Sequence, residues 1–423
     1  GLTADQLFFL GRLPIIFLSI IFGITIAYIT KKYSPHKYSY LASLLALFLY
    51  CFSPLIIAHS RYVTTDLGIS LSYLLTVYFL GKYLKSPVLK NLLLFSLFFA
   101  ISQVVKFSAL FLLPIFCILY FLAHYYFSKK LGWKKFIFAL FVMLVISSVV
   151  IFISYGFELK APNSDPWFQS FYTTKGEITP EQISQLPPLA QSLSKLYLTY
   201  PQLVDKIVST PLPFYSYLKG VYLLYNHDFW GHTSYLLGDH AKYGWWYYFP
   251  LAFLVKTTLS VIILLVITTV SLIFNFFRKY KNLDNKQKAL TIVPFNYFLL
   301  TIPPLVYLLI SMNSHLNLGI RHIILIYPFI FIIIGITLAR EVLISKKIFA
   351  LLIIFLVFFH AISSLRIYPN YLSYFNELAG GPSNGHLYLT DSNLDWGQDF
   401  LKLKNYLALN NIEKINLQYF GQA

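Results

Sequence analysis

At 423 residues, with 57% hydrophobic and 12% charged side chains against roughly 45–50% and 25% in soluble proteins, the chain reads as a membrane protein. Its formal charge of +17 does not point to nucleic acid, because Lys and Arg fall in short clusters between apolar runs and not in one patch. Cys51 and Cys117 both lie inside apolar runs, so neither a disulfide framework nor a zinc site follows from them.

The chain opens on Gly1 in a short polar lead-in, with no charged region followed by a short apolar stretch and cleavage site, so its natural start is expected upstream. Apolar runs near 7–30, 38–58, 62–81, 91–105, 107–127, 136–156, 248–277, 290–311, 321–340 and 347–366 make ten candidate spans of about 20 residues each. Alternate gaps carry Lys31, Lys32 and Lys37; Lys82, Lys85 and Lys90; Lys129, Lys130, Lys134 and Lys135; Arg278, Lys279, Lys281, Lys286 and Lys288; and Arg340, Lys346 and Lys347. Those gaps hold 18 of the 33 basic residues but only Asp284 and Glu341 of the 16 acids, and so read as cytoplasmic. The chain is then expected to start outside, cross ten times, and display an outer loop at 157–247 and an outer tail at 367–423.

This gives two parts: a transmembrane domain over 1–366 and an extracytoplasmic α/β segment over 367–423. In the loop, "SLSKLYLTYPQLVDKIV" predicts short helices on the membrane surface. In the tail, "HLYLTDS" and "KINLQYFG" read as strands and "GQDFLKLKNYLALNN" as a helix between them.

Three clusters could carry chemistry. In "AHSRYVTTDLGISLSYLL", Arg61 lies in the turn before the third span and Asp66 about four residues inside it, some 6 Å deep. A carboxylate there is costly unless it faces a wet cavity or a cation; it is either a structural ion pair or part of a site. Lys106, between the fourth and fifth spans, reads as lying in a short outer turn.

The second cluster, "YNHDFWGHTSYLLGDHAKYGWWYYFPLAFLVKTTL", gathers His227, Asp228, His232 and Asp239 ahead of an aromatic run containing Trp245 and Trp246. The aromatics suit an interfacial belt or stacking on a sugar ring. The spacing matches no strong metal signature such as H-E-x-x-H, so polar contacts to a substrate are the better reading, with a divalent metal left open. Lys256, inside the seventh span, must snorkel or meet an anion. The third cluster, "NSHLNLGIRHIILIYPF", puts Arg321 and His322 at headgroup depth, where Arg's fork of donors suits phosphate oxygens or anchors the interface.

Outer-face cations, a membrane-edge carboxylate and an aromatic-rich loop together describe a site for an amphiphilic anion, such as a lipid-phosphate sugar. Transfer from that donor needs cations for the departing phosphate and a carboxylate for the acceptor hydroxyl. The alternative is a lipid-linked sugar or polysaccharide transporter, which would place ionisable residues near the bilayer midplane.

The blocks "SRYVTTDLGISLSYLL", "VVKFSALFLLP", "GDHAKYGWWYYFPLAFLVKT", "GIRHIILIYPF" and "YFNELAGGPSNGHLYLTDSNLDWGQD" resemble prokaryotic family 39 glycosyltransferases, relatives of protein O-mannosyltransferases and lipid A aminoarabinose transferases. The resemblance implies an all-α, multi-pass, C-type glycosyltransferase fold in the cell membrane. It also implies a polyprenyl-phosphate sugar donor used on the extracytoplasmic side, with a protein, lipid or glycan hydroxyl as acceptor. By it, Arg61 and Asp66 match the family's Arg and Asp at the third span, Arg321 and His322 its late basic pair, and Lys256 its "KT" lysine. The family's catalytic Asp belongs to a first outer loop with no counterpart here, so Asp66 is expected to support catalysis from the cavity rim while the general base lies upstream of Gly1; Asp5 matches no motif. Asp391, Asp395 and Asp399 are expected to cap helices and form turns.

Overall fold

The computed structural model describes residues 4–127, 131–168, 180–185, 187–281 and 293–417. Lys129, Lys130, Asp284, Lys286, Lys288 and the end of "KINLQYFG" lie outside them. All ten apolar runs are helical: α1 (Ala4–Tyr33), α2 (Ser39–Cys51) with α3 (Pro54–His59), α4 (Asp66–Lys85), α5 (Leu89–Val105), α6 (Leu112–Tyr126) and α7 (Trp133–Ser154). After the outer loop, with α8 (Pro180–Gln185), α9 (Pro188–Thr199), α10 (Pro201–Ser209) and α11 (Tyr215–Trp230), come α12 (Tyr248–Lys256), α13 (Leu259–Lys281), α14 (Phe295–Met312), α15 (Tyr327–Ile344), α16 (Lys347–Arg366) and, in the tail, α17 (Phe400–Leu409).

Eight helical stretches among the described residues are long and apolar enough to cross a bilayer, which makes this a multi-pass helical membrane protein. The expected ten differ at two places. The second run breaks at Ser53–Pro54, where proline has no N–H to continue the ladder and Ser53 Oγ accepts from Ile56 N to start α3. The fourth, α5, is an apolar helix of 17 residues. Large apolar side chains such as Phe17, Ile24, Phe141, Phe274, Phe355 and Phe358 face outward, as lipid contact requires.

The stretch Ile320–Ile344 is the most buried of the spans, apolar on all sides and packed against α1, α2, α4 and α14. Gly335 permits the closest of these contacts: a Cβ there would come within 2.7 Å of the Ala42 carbonyl oxygen. The seventh run is split into α12 and α13 at Thr257–Thr258, which leaves helix-end carbonyls inside the protein. The tail satisfies them. Asn376 donates from Nδ2 to the Leu254 and Thr257 carbonyls and from its backbone N–H to Val255 O. Lys256 reaches the other way, donating to Leu372 O at 2.7 Å and Asn393 O at 2.6 Å, with its ammonium 4.3 Å from the Phe375 ring.

The loop between α7 and α12 is tied down by charge. Asp165 accepts from Lys160 (2.8 Å) and Lys219 (2.9 Å), whose hydrogen bonds hold its carboxyl well below the usual carboxylate range. Glu158 accepts from the backbone N–H and hydroxyl of Ser216, beside the short antiparallel pair β1 (Leu159–Lys160) and β2 (Leu212–Pro213). Helices α9 and α10 fall where surface helices were expected and leave Leu198, Leu203 and Ile207 exposed.

The tail departs from expectation. Its helix is present as α17, but "HLYLTDS" forms 3₁₀ turns (Pro382–Leu387, Asp391–Asn393) and no strand. Its alternating apolar residues are spent otherwise: Leu389 is fully buried against the main core, while Ser392 and Asn393 bond to the 318–320 backbone. Residues 414–417 carry no regular structure either. The α/β expectation for this segment is corrected to α and 3₁₀ among the described residues; the antiparallel pair β3 (Ser234–Leu236) and β4 (Asp239–Ala241) belongs to the loop.

Candidate active site

Asp66 is the first residue of α4, not a residue one turn inside it: 60–65 forms a non-helical loop, so the third span starts four residues later than predicted. The carboxylate is buried, 1% exposed, yet three groups converge on it. Lys106, in the turn after α5, donates to Oδ1 at 2.8 Å; Arg321 Nη1 stands 3.8 Å and His59 Nδ1 3.9 Å from Oδ2.

Arg321 is presented by the 3₁₀ helix Ile320–Ile326, which begins after Gly319 (φ +145°). A Cβ at Gly319 would collide with Ser392 Oγ, whose hydroxyl donates to Leu318 O at 2.6 Å. Glycine here lets the tail seat directly behind the arginine. Asn393 completes that seat by accepting from Ile320 N at 2.9 Å and donating to the Tyr248 hydroxyl at 3.1 Å.

Aromatic rings form the opposite wall. The Arg321 guanidinium carbon lies 4.3 Å above the Trp396 ring, and Trp396 meets Tyr62 (5.9 Å) and His59 (6.2 Å) edge-to-face. Arg61 curls back from the loop, its Nη2 donating to the Tyr62 hydroxyl at 3.4 Å. Lys106, Arg61 and Arg321 against the single Asp66 leave this pocket net positive.

Buried polar atoms in proteins are nearly always hydrogen-bonded. Here His59 Nδ1 and Nε2, Arg61 Nε, Thr64 Oγ1, Asp66 Oδ2, Arg321 Nε and His322 Nε2 are buried and make none. Among these atoms the buried N–H groups of Arg61 and Arg321, beside the Lys106 ammonium, are donors suited to the oxygens of an anion.

The structure thus brings Asp66 and Arg321 together, with His322 next in sequence and Arg61 one ring removed, on Tyr62, which meets Trp396; it adds three groups that sequence reasoning did not assign to the site: His59, Lys106 and Trp396. Lys106 carried a visible signal, a charge between two apolar runs. His59 lies two residues before Arg61 in the quoted block. Trp396 had none, since its tail block read as turns, and Asp391, Asp395 and Asp399 do make local turn contacts with Ser392, Gly397 and Lys402.

Of the other predicted residues, Lys256 lies just behind the site, its ammonium on Asn393 O while Asn393 Oδ1 holds Ile320 N, and near enough to His59 to act on its charge; the rest lie elsewhere. His227 and His232 pair with each other at 3.1 Å. Asp228 accepts from the Ser314 hydroxyl (2.6 Å) and His315 N (3.0 Å), clamping α11 to the loop before Arg321. Asp239 is exposed in β4, Trp246 is exposed, and Trp245 is fixed through its backbone N–H to Asn317. Lys256 is engaged by the two tail carbonyls described above. No hydrogen bond, ion pair or ring contact among the described residues joins these to Asp66, Lys106 or Arg321, and no group of three His, Cys, Asp or Glu among them could hold a metal ion.

Residues 4–153, which include Arg61, Asp66 and Lys106, match the model of the dolichyl-phosphate-mannose-protein mannosyltransferase family. No curated protein and no solved structure matches the chain. The match covers about a third of the chain, whose first part is thus similar to that family.

Proposed function

We propose that the protein is a prokaryotic family 39-type transferase. It moves a sugar from a polyprenyl-phosphate donor to an acceptor hydroxyl on the extracytoplasmic face of the cell membrane. The observation that carries this is the net-positive pocket of Arg61, Lys106 and Arg321 with its unmet buried donors, on a chain whose first third is similar to a lipid-phosphate mannosyltransferase family.

In that reaction the bond between the sugar's anomeric carbon and the phosphate oxygen breaks, and the polyprenyl phosphate leaves with the electron pair. The acceptor oxygen takes the anomeric carbon and gives up its proton to a base. Fixed cations 3–4 Å from the phosphate oxygens would favour this step, because charge grows on the leaving group as the bond opens. Arg321 has the planar fork that suits two phosphate oxygens, and Trp396 beneath it prevents the guanidinium from turning away. Asp66, already engaged by Lys106, is a positioning group: it holds Lys106 and Arg321 apart from each other and aimed at one point.

Arg321→Gln is expected to weaken binding of a polyprenyl-phosphate sugar by about 10- to 100-fold, the worth of one charge-assisted hydrogen bond, and to lower the melting temperature modestly because Asp66 loses one of its cations; Arg321→Lys, which keeps the charge, should hold the melting temperature and still lose donor affinity. Donor affinity equal to wild type would remove Arg321 from the phosphate site.

A further inference from the structure

A second cavity, of about 670 Å³, lies where the turn after α1 meets α13, α14 and α15. This is a volume typical of small-molecule sites. It is far from Asp66. Helix α4 runs from Asp66 to Lys85, and the Ile320–Ile344 stretch carries Arg321 near one end and Arg340 near the other. Each pair is 19 residues apart, about 28 Å at helical rise, which is close to the thickness of the bilayer's hydrocarbon core. The cavity therefore opens at the membrane edge opposite the candidate active site, among the basic helix ends.

Its lining is divided. Arg340, Lys279, Asn275, Asn296 and Thr301 supply cationic and hydrogen-bonding groups, while Leu272, Phe276 and Phe298 supply an apolar side. Lys85 stands at the rim, bonded to Asn296 and 5.4 Å from the Tyr33 ring centre. Arg340 makes no hydrogen bond among the described residues. Its near acid, Glu341 at 3.9 Å, is already taken by the Ser271 and Ser345 hydroxyls. Lys279 has no acidic partner among them.

We propose that this cavity is a site for the phosphate headgroup of an anionic phospholipid, with Arg340 and Lys279 as its cations and Phe276 and Phe298 against the proximal acyl chain. Two observations favour a lipid over free phosphate: the cavity sits at headgroup depth, and one wall is apolar. The inference needs only that the chain spans a membrane and is independent of the donor reading.

The test is native mass spectrometry of the protein released from nanodiscs of mixed phosphatidylglycerol and phosphatidylcholine. Wild type is expected to keep one more phosphatidylglycerol than the Arg340→Gln/Lys279→Gln variant. Arg340→Lys should retain most of the binding, which separates loss of charge from misfolding. Equal phosphatidylglycerol retention by wild type and the double variant would overturn the site. So would wild type retaining as much phosphatidylcholine as phosphatidylglycerol, or stabilisation by inorganic phosphate alone, in detergent, as large as that given by the phospholipid.

Discussion

Replacing Lys106 by Met removes a charge while keeping most of the stem, and its cost can be worked from two distances. At an effective dielectric of about 20, Lys106 at 2.8 Å attracts the Asp66 carboxylate by about 6 kcal/mol, and Arg321 at 3.8 Å by about 4 kcal/mol. These gross attractions offset the several kcal/mol needed to bury an ionised carboxylate that is 1% exposed. Without Lys106 the Arg321 share survives, so the net loss should fall at the lower end of the range for a broken buried pair, about 3 kcal/mol. Asp66→Asn should cost less, about 1 kcal/mol, because Lys106 is 25% exposed and can turn its ammonium to water. In the double variant the neutral amide no longer needs the cation, so much of the Lys106→Met penalty should vanish and the cycle should show a coupling of about 2 kcal/mol. Equilibrium unfolding in mixed micelles, followed by tryptophan fluorescence, measures all four corners. Additive penalties would show that the carboxylate is not held ionised by Lys106 and would refute the electrostatic account of the pocket.

Gly319→Ala should lower stability by about 1–3 kcal/mol and weaken donor binding together, since a Cβ there meets Ser392 Oγ and the backbone at φ +145° is strained for alanine; a melting temperature equal to wild type would show that the tail can yield. Acidification should loosen the outer loop through Asp165. Its folded carboxyl titrates below the free value of about 3.9, so its stabilisation is complete at neutral pH and fades only as pH falls below about 4. Limited proteolysis of 157–247 should therefore be unchanged from pH 8 to 5 in wild type, whereas Asp165→Asn should be cut faster throughout; equal cutting of the two at pH 7 would remove the staple.

The ten apolar runs were legible because a membrane leaves one solution for a 20-residue apolar stretch, and every run is helical. Their ends were less legible. The block "SRYVTTDLGIS" does hold a helix-start signal, Thr65 at the N-cap with Asp66 in the first turn, but the continuous apolar run masked it. The tail misread has a similar cause: alternation in "HLYLTDS" signals one buried face, but that face is buried by docking on α12 and the 318–320 segment and not by pairing with a strand. Arg61, Asp66 and Arg321 could be picked out as charges at apolar borders. Trp396 could not, since an aromatic near the end of a chain acquires its role only when folding sets it under a guanidinium 75 residues away.

The joint between α12 and the tail bears on the order in which the molecule can be assembled. Lys256 is 116 residues before Leu372 and 137 before Asn393, the two carbonyls that receive its ammonium, and Leu254 O waits 122 residues for Asn376. A chain emerging from its N-terminus enters the bilayer with this break already made but with none of these partners yet synthesised. Closing the helix break therefore waits on residues 372–393, made more than a hundred residues after it. Until that segment arrives, a nascent chain carries the α12–α13 joint with its carbonyls and the Lys256 ammonium unmet.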